Sequence, residues 1–350
     1  MYSRRLLPIV LALVVGLTSV ASSVVLADEL ELKDGHPERY VVREGDTLWD
    51  ISARFLVDPW RWPEIWKANP YIDNPHLIYP GDVLVFTNIN GNPSLRVLRN
   101  ENLAVEKLSP RIREEAVDDA ITTIPPGVIE PFLTEGMVLD ADAIDDLGYV
   151  VLGVEGNIVV GEGSEIYARN LVEPVSKVYQ VFRPGDALIH PVTNEYLGTE
   201  ATYLGDATML RADDVSKLLV TRSVEEIAPS DRLLPVERDI AKPYFHPHAP
   251  EGDVLGYIIK AAKGVSEVGP YSIVIISLGL ANGIEEGHVL RIRHNKAPIK
   301  DPVTGRQLEL PEEDSGLLMV FKAFERVSYA LVMDATRAIH VNDSLVSPLR

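Results

Sequence analysis

Apolar and polar positions follow three different patterns along this chain. Residues 40–88 combine two β-branched runs with two short segments in which apolar residues recur at helical spacing. Residues 89–147 show a looser pattern interrupted by turn-forming residues. From Gly148 onwards, short β-branched and aromatic runs are separated by Gly, Asn and Pro, which is typical of β-rich domains. The pattern predicts an α+β chain that is mostly β.

Capping residues predict the helices of the first stretch. Thr47 is a typical helix N-cap, and Asp50 lies three residues later, where a capping box places an acidic partner. Pro63 suits the first turn of a second helix. A Pro-Gly-Asp turn at residues 80–82 leads into a last strand at residues 83–86. The predicted order is strand, helix, helix, strand.

The motifs of this stretch resemble a LysM domain, a small module that binds N-acetylglucosamine-containing glycans. They are Gly-Asp-Thr-Leu at residues 45–48, Asn-Pro-Tyr-Ile at residues 69–72 and Ile-Tyr-Pro-Gly at residues 78–81. The resemblance implies a β-α-α-β domain at residues 40–88, with a groove of backbone groups and apolar contacts between two turns. The glycan-binding residues it implies are Gly45, Asp46, Thr47, Leu48, Asn69, Pro70, Tyr71, Ile72 and Ile78.

Each of these residues also has a structural interpretation, and the sequence leaves both open. The polar members can cap or stop helices, and the apolar members can belong to the core. A link of sequence Asp-Pro-Trp-Arg-Trp at residues 58–62 departs from the family pattern, and it either widens the sugar-binding face or docks the module on its own chain. For Trp60, Trp62 and Trp66, packing in the core is favoured over stacking on a sugar ring.

An internal repeat is visible in the β-rich part. His-Pro-Val-Thr at residues 190–193 matches Asp-Pro-Val-Thr at residues 301–304, and Asp-Arg-Leu at 231–233 matches Asp-Ser-Leu at 343–345. The shared positions are framework residues rather than pairs of catalytic residues. The predicted divisions are a connecting segment at residues 89–147, a first β-rich unit at 148–243, a linker at 244–253 and a second β-rich unit at 254–350.

The first 27 residues have the features of a secretory signal peptide. Arg4 and Arg5 precede a long apolar run, and Val-Leu-Ala at residues 25–27 offers a cleavage site. An uncleaved membrane anchor is the alternative, since the run is nearly long enough to span a bilayer. Residues 28–39 are polar and predict a tether. We expect export, with no transmembrane segment after cleavage.

Composition narrows the possible functions. The chain has no cysteine, which excludes disulfides and every cysteine-nucleophile peptidoglycan enzyme. Its formal net charge is −19, so it would repel nucleic acid and anionic lipid. No nucleic-acid partner is therefore predicted.

Motifs for catalysis are sparse. His-Pro-His at residues 246–248 resembles the His-x-His of lysostaphin-like zinc endopeptidases, but the His-x-x-x-Asp pair that those enzymes also need is missing. His76 and Asp82 are too far apart for that pair, and His340 and Asp343 are too close. No Gly-x-Ser-x-Gly elbow or phosphate loop occurs. We expect no catalytic residues, no metal and no cofactor.

The whole chain resembles the LysM proteins associated with the type IV pilus secretin in Gram-negative bacteria. The segments that carry this resemblance are residues 58–63, 74–82, 279–290, 301–305 and 316–322. It implies a periplasmic, non-catalytic scaffold that holds the outer-membrane secretin ring to peptidoglycan. Two alternatives remain, namely a peptidoglycan hydrolase or hydrolase activator targeted by LysM, and a generic cell-wall binding protein.

Overall fold

The structure is a computed structural model of the chain. It describes residues 30–67, 78–89, 92–98, 121–134, 136–139, 144–171, 176–236, 245–262, 268–295, 298–308 and 310–348. The predicted signal peptide at residues 1–27 and residues 69–72 of the predicted groove lie outside these stretches. Within the stretches, no helix has both the length and the apolar character needed to cross a bilayer.

The N-terminal module has the predicted strand, helix, helix and strand, followed by one further strand. Its elements are β1 (Arg39–Val41), α1 (Leu48–Ser52), a 3₁₀ helix (Pro59–Arg61), α2 (Trp62–Lys67), β2 (Val83–Ile89) and β3 (Asn92–Leu98). The strands form an antiparallel sheet in the order β1-β2-β3. Both helices contribute buried side chains, among them Ile51 and Ile65, to a core that they share with Leu84 of β2.

Local sequence explains the start of α1. The backbone N–H of Asp50 donates to Oγ1 of Thr47 at 3.1 Å, and this hydroxyl donates to the Asp50 carboxylate at 2.7 Å. The predicted cap is therefore confirmed. Strand β3 lies in the predicted connecting segment, yet it pairs with the whole of β2 and buries Leu95. The module's sheet thus continues beyond residue 88.

Strands β5 to β10 close into a six-stranded barrel. They are β5 (Gly148–Gly153), β6 (Glu165–Arg169), β7 (Val178–Ile189), β8 (Tyr196–Arg211), β9 (Ser216–Ser223) and β10 (Arg232–Pro235). The antiparallel pairings run β5-β6-β9-β8-β7-β10, and β10 pairs back to β5. The hairpin of β7 and β8 extends beyond the barrel, where β4 (Met137–Leu139) pairs with β8.

A second closed barrel follows. Its strands are β11 (Leu255–Ala261), β12 (Ile273–Ile276), β13 (Val289–His294), β16 (Glu313–Ala323), β17 (Ser328–Ala335) and β18 (Ser344–Val346). A small hairpin of β14 (Ile299–Lys300) and β15 (Gln307–Leu308) lies between β13 and β16, and a 3₁₀ turn spans Leu280–Asn282. The closed order β11-β12-β17-β16-β13-β18 reproduces that of the first barrel, strand for strand.

Matching residues show that the barrels are copies of one unit. Gly205 of β8 and Gly316 of β16 each lie so close to a carbonyl of the next strand that a Cβ would clash. Asp231 and Asp343 are both buried just before the last strand, and each accepts a backbone N–H from three residues earlier, at 2.7 and 2.9 Å. The predicted repeat is therefore confirmed.

The second barrel is the centre of packing of the described chain. Besides its apolar interior, it has an apolar outer surface formed by strands β12, β13, β16 and β17. Three other parts of the chain cover that surface, namely the N-terminal module through Trp49 and Trp60, helix α3 (Pro126–Thr134) through Ile129, and the β7–β8 hairpin through Leu188 and Leu197.

Lys322 of β16 ties α3 to the second barrel. Its ammonium group donates to the carbonyls of Leu133 and Gly136, at 3.0 and 2.7 Å, and so satisfies groups that the end of a helix leaves unpaired. Burial lowers the pKa of Lys322 to about 8. In the described part of the predicted linker, residues 245–253, Phe245 is buried in the same apolar cluster, whereas residues 251–253 are exposed.

Candidate functional site

The turn before α1 forms one wall of the candidate site and is held by its own side chains. Gly45 has φ +85°, a conformation that glycine adopts without strain. The Asp46 carboxylate accepts from the Tyr40 hydroxyl and the Arg43 backbone N–H, both at 2.8 Å. Burial and this bond raise the pKa of Tyr40. Asp46 and Thr47 therefore have structural roles, which leaves backbone groups to face a ligand.

Leu48 and Ile78 also contribute through their backbone. Both side chains are fully buried in the module's core. The Leu48 N–H and the Ile78 C=O, however, both point to the same short segment, described next. The structure thus brings residues 45–48 and Ile78 together, while residues 69–72 lie outside its described part.

A segment from far along the chain occupies the space between these two backbone groups. The Leu48 N–H donates to the Thr122 C=O at 2.9 Å, and the Ile121 N–H donates to the Ile78 C=O at 2.9 Å. One dipeptide therefore bridges the two walls of the groove. The sequence does not predict that Ile121 lies there. The only signal was the short β-branched run Ile-Thr-Thr-Ile at residues 121–124, which predicts an extended segment but not its partner.

Trp60 and Trp62 of the inter-helix link and Trp66 of α2 have structural roles, as predicted. Trp62 and Trp66 are buried in the module's core, and Trp60 packs in the cluster on the outer surface of the second barrel. Of the two interpretations of the link at residues 58–62, docking on the module's own chain is the one that the structure supports.

Polar contacts reinforce this docking. The Tyr271 hydroxyl donates to the Asp50 carboxylate at 2.7 Å. Burial, and next this hydrogen bond, raise the pKa of Tyr271. Arg291 of β13 lies 3.8 Å from the Asp58 carboxylate in the link. The face of the module that contains α1 is therefore fixed to the second barrel.

Two groups of histidine and carboxylate side chains come together in the described part of the chain. The first consists of His248, Glu285 and His288. The backbone N–H of Glu285 donates to Nδ1 of His288 at 3.1 Å, so Nε2 of a neutral His288 holds the proton and cannot bind a metal. Burial, and next His248, lower the pKa of His288, which favours that neutral form. His246 instead packs its ring on Trp62, so it does not join His248 in this group.

The second group consists of His294, His340 and Asp343. Nδ1 of His294 lies 2.8 Å from the Asp343 carboxylate. In the first barrel, Arg183 occupies the matching position and donates to Asp231 at 2.9 and 2.8 Å. Because both copies place a nitrogen donor on this buried aspartate, the contact is part of the framework of the repeat.

Comparison with known proteins agrees with the module's geometry. Residues 40–87 match the LysM domain family. A stretch of 58 residues is 40% identical to "Uncharacterized protein YqbP" of Bacillus subtilis (strain 168). That alignment covers 14% of this chain and 26% of the Bacillus protein, so it concerns a part of each. The chain therefore carries a LysM domain, a type of module that binds peptidoglycan glycans, at residues 40–87.

Proposed function

We propose that this protein is a non-catalytic anchor of the cell envelope whose LysM domain binds N-acetylglucosamine-containing peptidoglycan. The observation that carries the proposal is that the Leu48 N–H and the Ile78 C=O face one groove, where one donates to the Thr122 C=O and the other accepts from the Ile121 N–H. An N-acetyl group offers one amide N–H and one C=O, so it can satisfy both groups at once.

Specificity for the acetamido group gives a direct test. We expect the full-length protein to sediment with purified peptidoglycan and to bind N-acetylglucosamine oligomers with Kd of about micromolar to millimolar, since few contacts are buried. Glucose oligomers with the same linkage are the matched control. They lack the acetamido group and would leave the Leu48 N–H unpaired, so they should not compete. Equal competition by both oligomers would contradict the proposal.

The two barrels supply the other half of the proposed anchor. The whole-chain resemblance supports an outer-membrane secretin ring as the partner and the periplasm as the location, with residues 1–27 as the exporting signal. Attachment around a ring is multivalent, so one weak contact per subunit suffices. We expect the secretin to co-purify with the protein from envelope membranes after the peptidoglycan has been digested. Loss of the secretin on digestion would limit the role to wall binding.

A zymogram separates the anchor from the hydrolase alternative. We expect no clearing of purified cell wall by the protein, with and without added Zn²⁺, because His288 cannot act as a ligand in the described geometry. Clearing that disappears with His248→Ala would favour the hydrolase.

A further inference from the structure

Residues 121–124 lie in the groove that the proposed function assigns to the glycan. The Leu48 N–H has a single hydrogen to donate, and the Thr122 C=O accepts it at 2.9 Å. A glycan acetamido group needs the same hydrogen. Peptide and glycan therefore cannot occupy the groove together.

The segment is bound by its side chains as well as its backbone. Ile121 is 5% exposed and belongs to the module's core, next to Leu48 and Ile78. Ile124 is 1% exposed and faces the other way, into the cluster on the second barrel. The segment thus fills the groove and also forms part of the contact between module and barrel.

The barrel side holds the segment in place. The Thr123 hydroxyl, fully buried, donates to the Phe245 C=O at 2.8 Å. Two residues after Ile124, helix α3 begins, and Lys322 binds the carbonyls at its far end. Residues 121–124 can therefore leave the groove only if the contacts of Thr123 with Phe245 and of Ile124 with the outer surface of the second barrel break.

We propose that residues 121–124 block the glycan site in cis, so that the protein binds glycan only after this segment has left the groove. The inference rests on the proposed function and adds its regulation. When only a fraction of the molecules is open, the apparent Kd equals the Kd of the open form divided by that fraction, so the measured affinity is weaker. Glycan binding and docking of the module on the second barrel are then competing states of one chain.

A proline at position 121 tests the block in the full-length protein. Ile121→Pro removes the N–H that Ile78 accepts, whereas Ile121→Val keeps that N–H and most of the apolar side chain. We expect Ile121→Pro to bind N-acetylglucosamine oligomers about tenfold more tightly than the wild type if one molecule in ten is open, and Ile121→Val, which loses one buried methylene but keeps the hydrogen bond, to bind more tightly than the wild type and less tightly than Ile121→Pro. Calorimetry gives the affinities, and circular dichroism checks the fold.

Amide hydrogen exchange of the wild type tests the same point without a variant. When the oligomer is added at saturation, the Ile121 N–H should lose protection because its partner is taken, while the Leu48 N–H should stay protected by the glycan. Equal affinities for all three proteins, or unchanged protection of Ile121 in the bound state, would overturn the block and leave the proposed function standing. No binding by any of the proteins would overturn the proposed function and the block with it.

Discussion

The two β-barrels of this chain share a framework but use their outer surfaces differently. Alternate residues of the strands point inward, and most of these positions are buried and apolar in both copies. Ile166 and Ala168 of β6, for example, correspond to Val274 and Ile276 of β12, as shown by the matching registers with β9 and β17. The duplicated interior therefore defines the barrel.

The outward positions differ. In the first barrel, Glu165 and Lys217 form an ion pair at 2.5 Å across β6 and β9. The matching residues of the second barrel are Ile273 and Tyr329, which are both buried. Likewise Leu210 of β8 is 50% exposed, whereas its counterpart Phe321 of β16 is fully buried. One copy leaves these outward positions at least partly exposed, and the other has an apolar outer surface that the rest of the chain covers.

The hairpins that extend from the two barrels show the same difference. Leu188 and Leu197, in the β7–β8 hairpin, are 1% and 5% exposed because they pack on the second barrel. Their counterparts Ile299 and Leu308, in the β14–β15 hairpin, are 45% and 43% exposed. The two similar frameworks thus differ in the residues of their outer surfaces and hairpins.

Among the variants considered, truncation of Phe321 at the outer surface of the second barrel is expected to lower the free energy of unfolding most, and Leu210 is its matched control. Phe321→Ala should lower the free energy of unfolding by about 3–5 kcal/mol, since it removes a fully buried ring. Leu210→Ala, at the exposed counterpart, should change it by about 0.5 kcal/mol or less. Denaturant titration of both variants measures the difference. Equal losses would show that the first barrel's surface is also covered.

Lys322 and Arg211 form a second matched pair. Lys322→Met should cost about 1–3 kcal/mol, because it leaves the carbonyls at the end of α3 without a donor. Arg211 is exposed beside Asp213, so Arg211→Met should cost about 0.5 kcal/mol or less. Denaturant titration at pH 7 compares them, and equal costs would argue against the capping role of Lys322.

The pH dependence of stability gives a second way to distinguish Lys322 from Arg211. Because the pKa of Lys322 is lowered to about 8, folded protein releases this proton before unfolded protein does. Unfolded protein binds more protons between pH 8 and the ordinary lysine pKa, so the Lys322 contribution to stability rises with pH in that window. The Lys322→Met variant should lack this rise, and Arg211→Met should keep it. Denaturation at pH 7.5, 8.5 and 9.5 measures the slopes.

The sequence alone predicted the features that depend on residues close together in the chain or on a repeated motif. The Thr47 cap, the start of α2 near Pro63 and the repeat marked by Asp231 and Asp343 were all confirmed by the structure. Barrel closure was not predicted, since alternation identifies strands but not their neighbours. The outer surface of the second barrel was missed because β17 is buried on both faces, which a two-residue period does not reveal.

The occupied groove was beyond sequence analysis for a related reason. Ile121 lies far along the chain from both Leu48 and Ile78, and neither contact follows any periodicity. The sequence left open whether the side chains of Leu48 and Ile78 belong to the core or contact the glycan, and their burial shows that they belong to the core. Leu48 and Ile78 have core side chains and expose only backbone groups, so alanine at Leu48 would test folding more than binding.

Tyr271 marks a smaller difference between the copies. Its φ is +62°, and the residue at the matching position of the first barrel is Gly163, with φ +82°. A tyrosine in this conformation is strained, and the second barrel retains it where it binds Asp50. Tyr271→Phe should cost about 1 kcal/mol through loss of this hydrogen bond. Denaturant titration at neutral pH measures that cost, and no change would leave the contact without a role in docking.

The raised pKa of Tyr271 adds a pH signature. The folded protein holds the hydroxyl proton after unfolded protein has lost it, so this contribution is present below the ordinary tyrosine pKa of about 10 and is lost as pH rises above it. Tyr271→Phe should therefore lose less stability than the wild type between about pH 10 and 11. If the stabilities of the wild type and Tyr271→Phe fell in parallel as pH rises, the raised pKa of Tyr271 would be contradicted.

Replacing the outward pair Glu165 and Lys217 by the matching residues of the second barrel is expected to have the smallest effect on stability. Glu165→Ile combined with Lys217→Tyr gives the first barrel the residues of the second. A surface ion pair contributes about 0–1 kcal/mol, and the new side chains have no covering segment, so stability should change by about 1 kcal/mol or less. Glu165→Gln with Lys217→Met is the control that removes the ion pair without the large apolar groups. A loss above about 2 kcal/mol in the first variant alone would show that these positions do affect barrel closure, since the interior is unchanged. An unchanged stability would show that these two outward positions of the first barrel tolerate the residues of the second, so that the interior alone determines closure there.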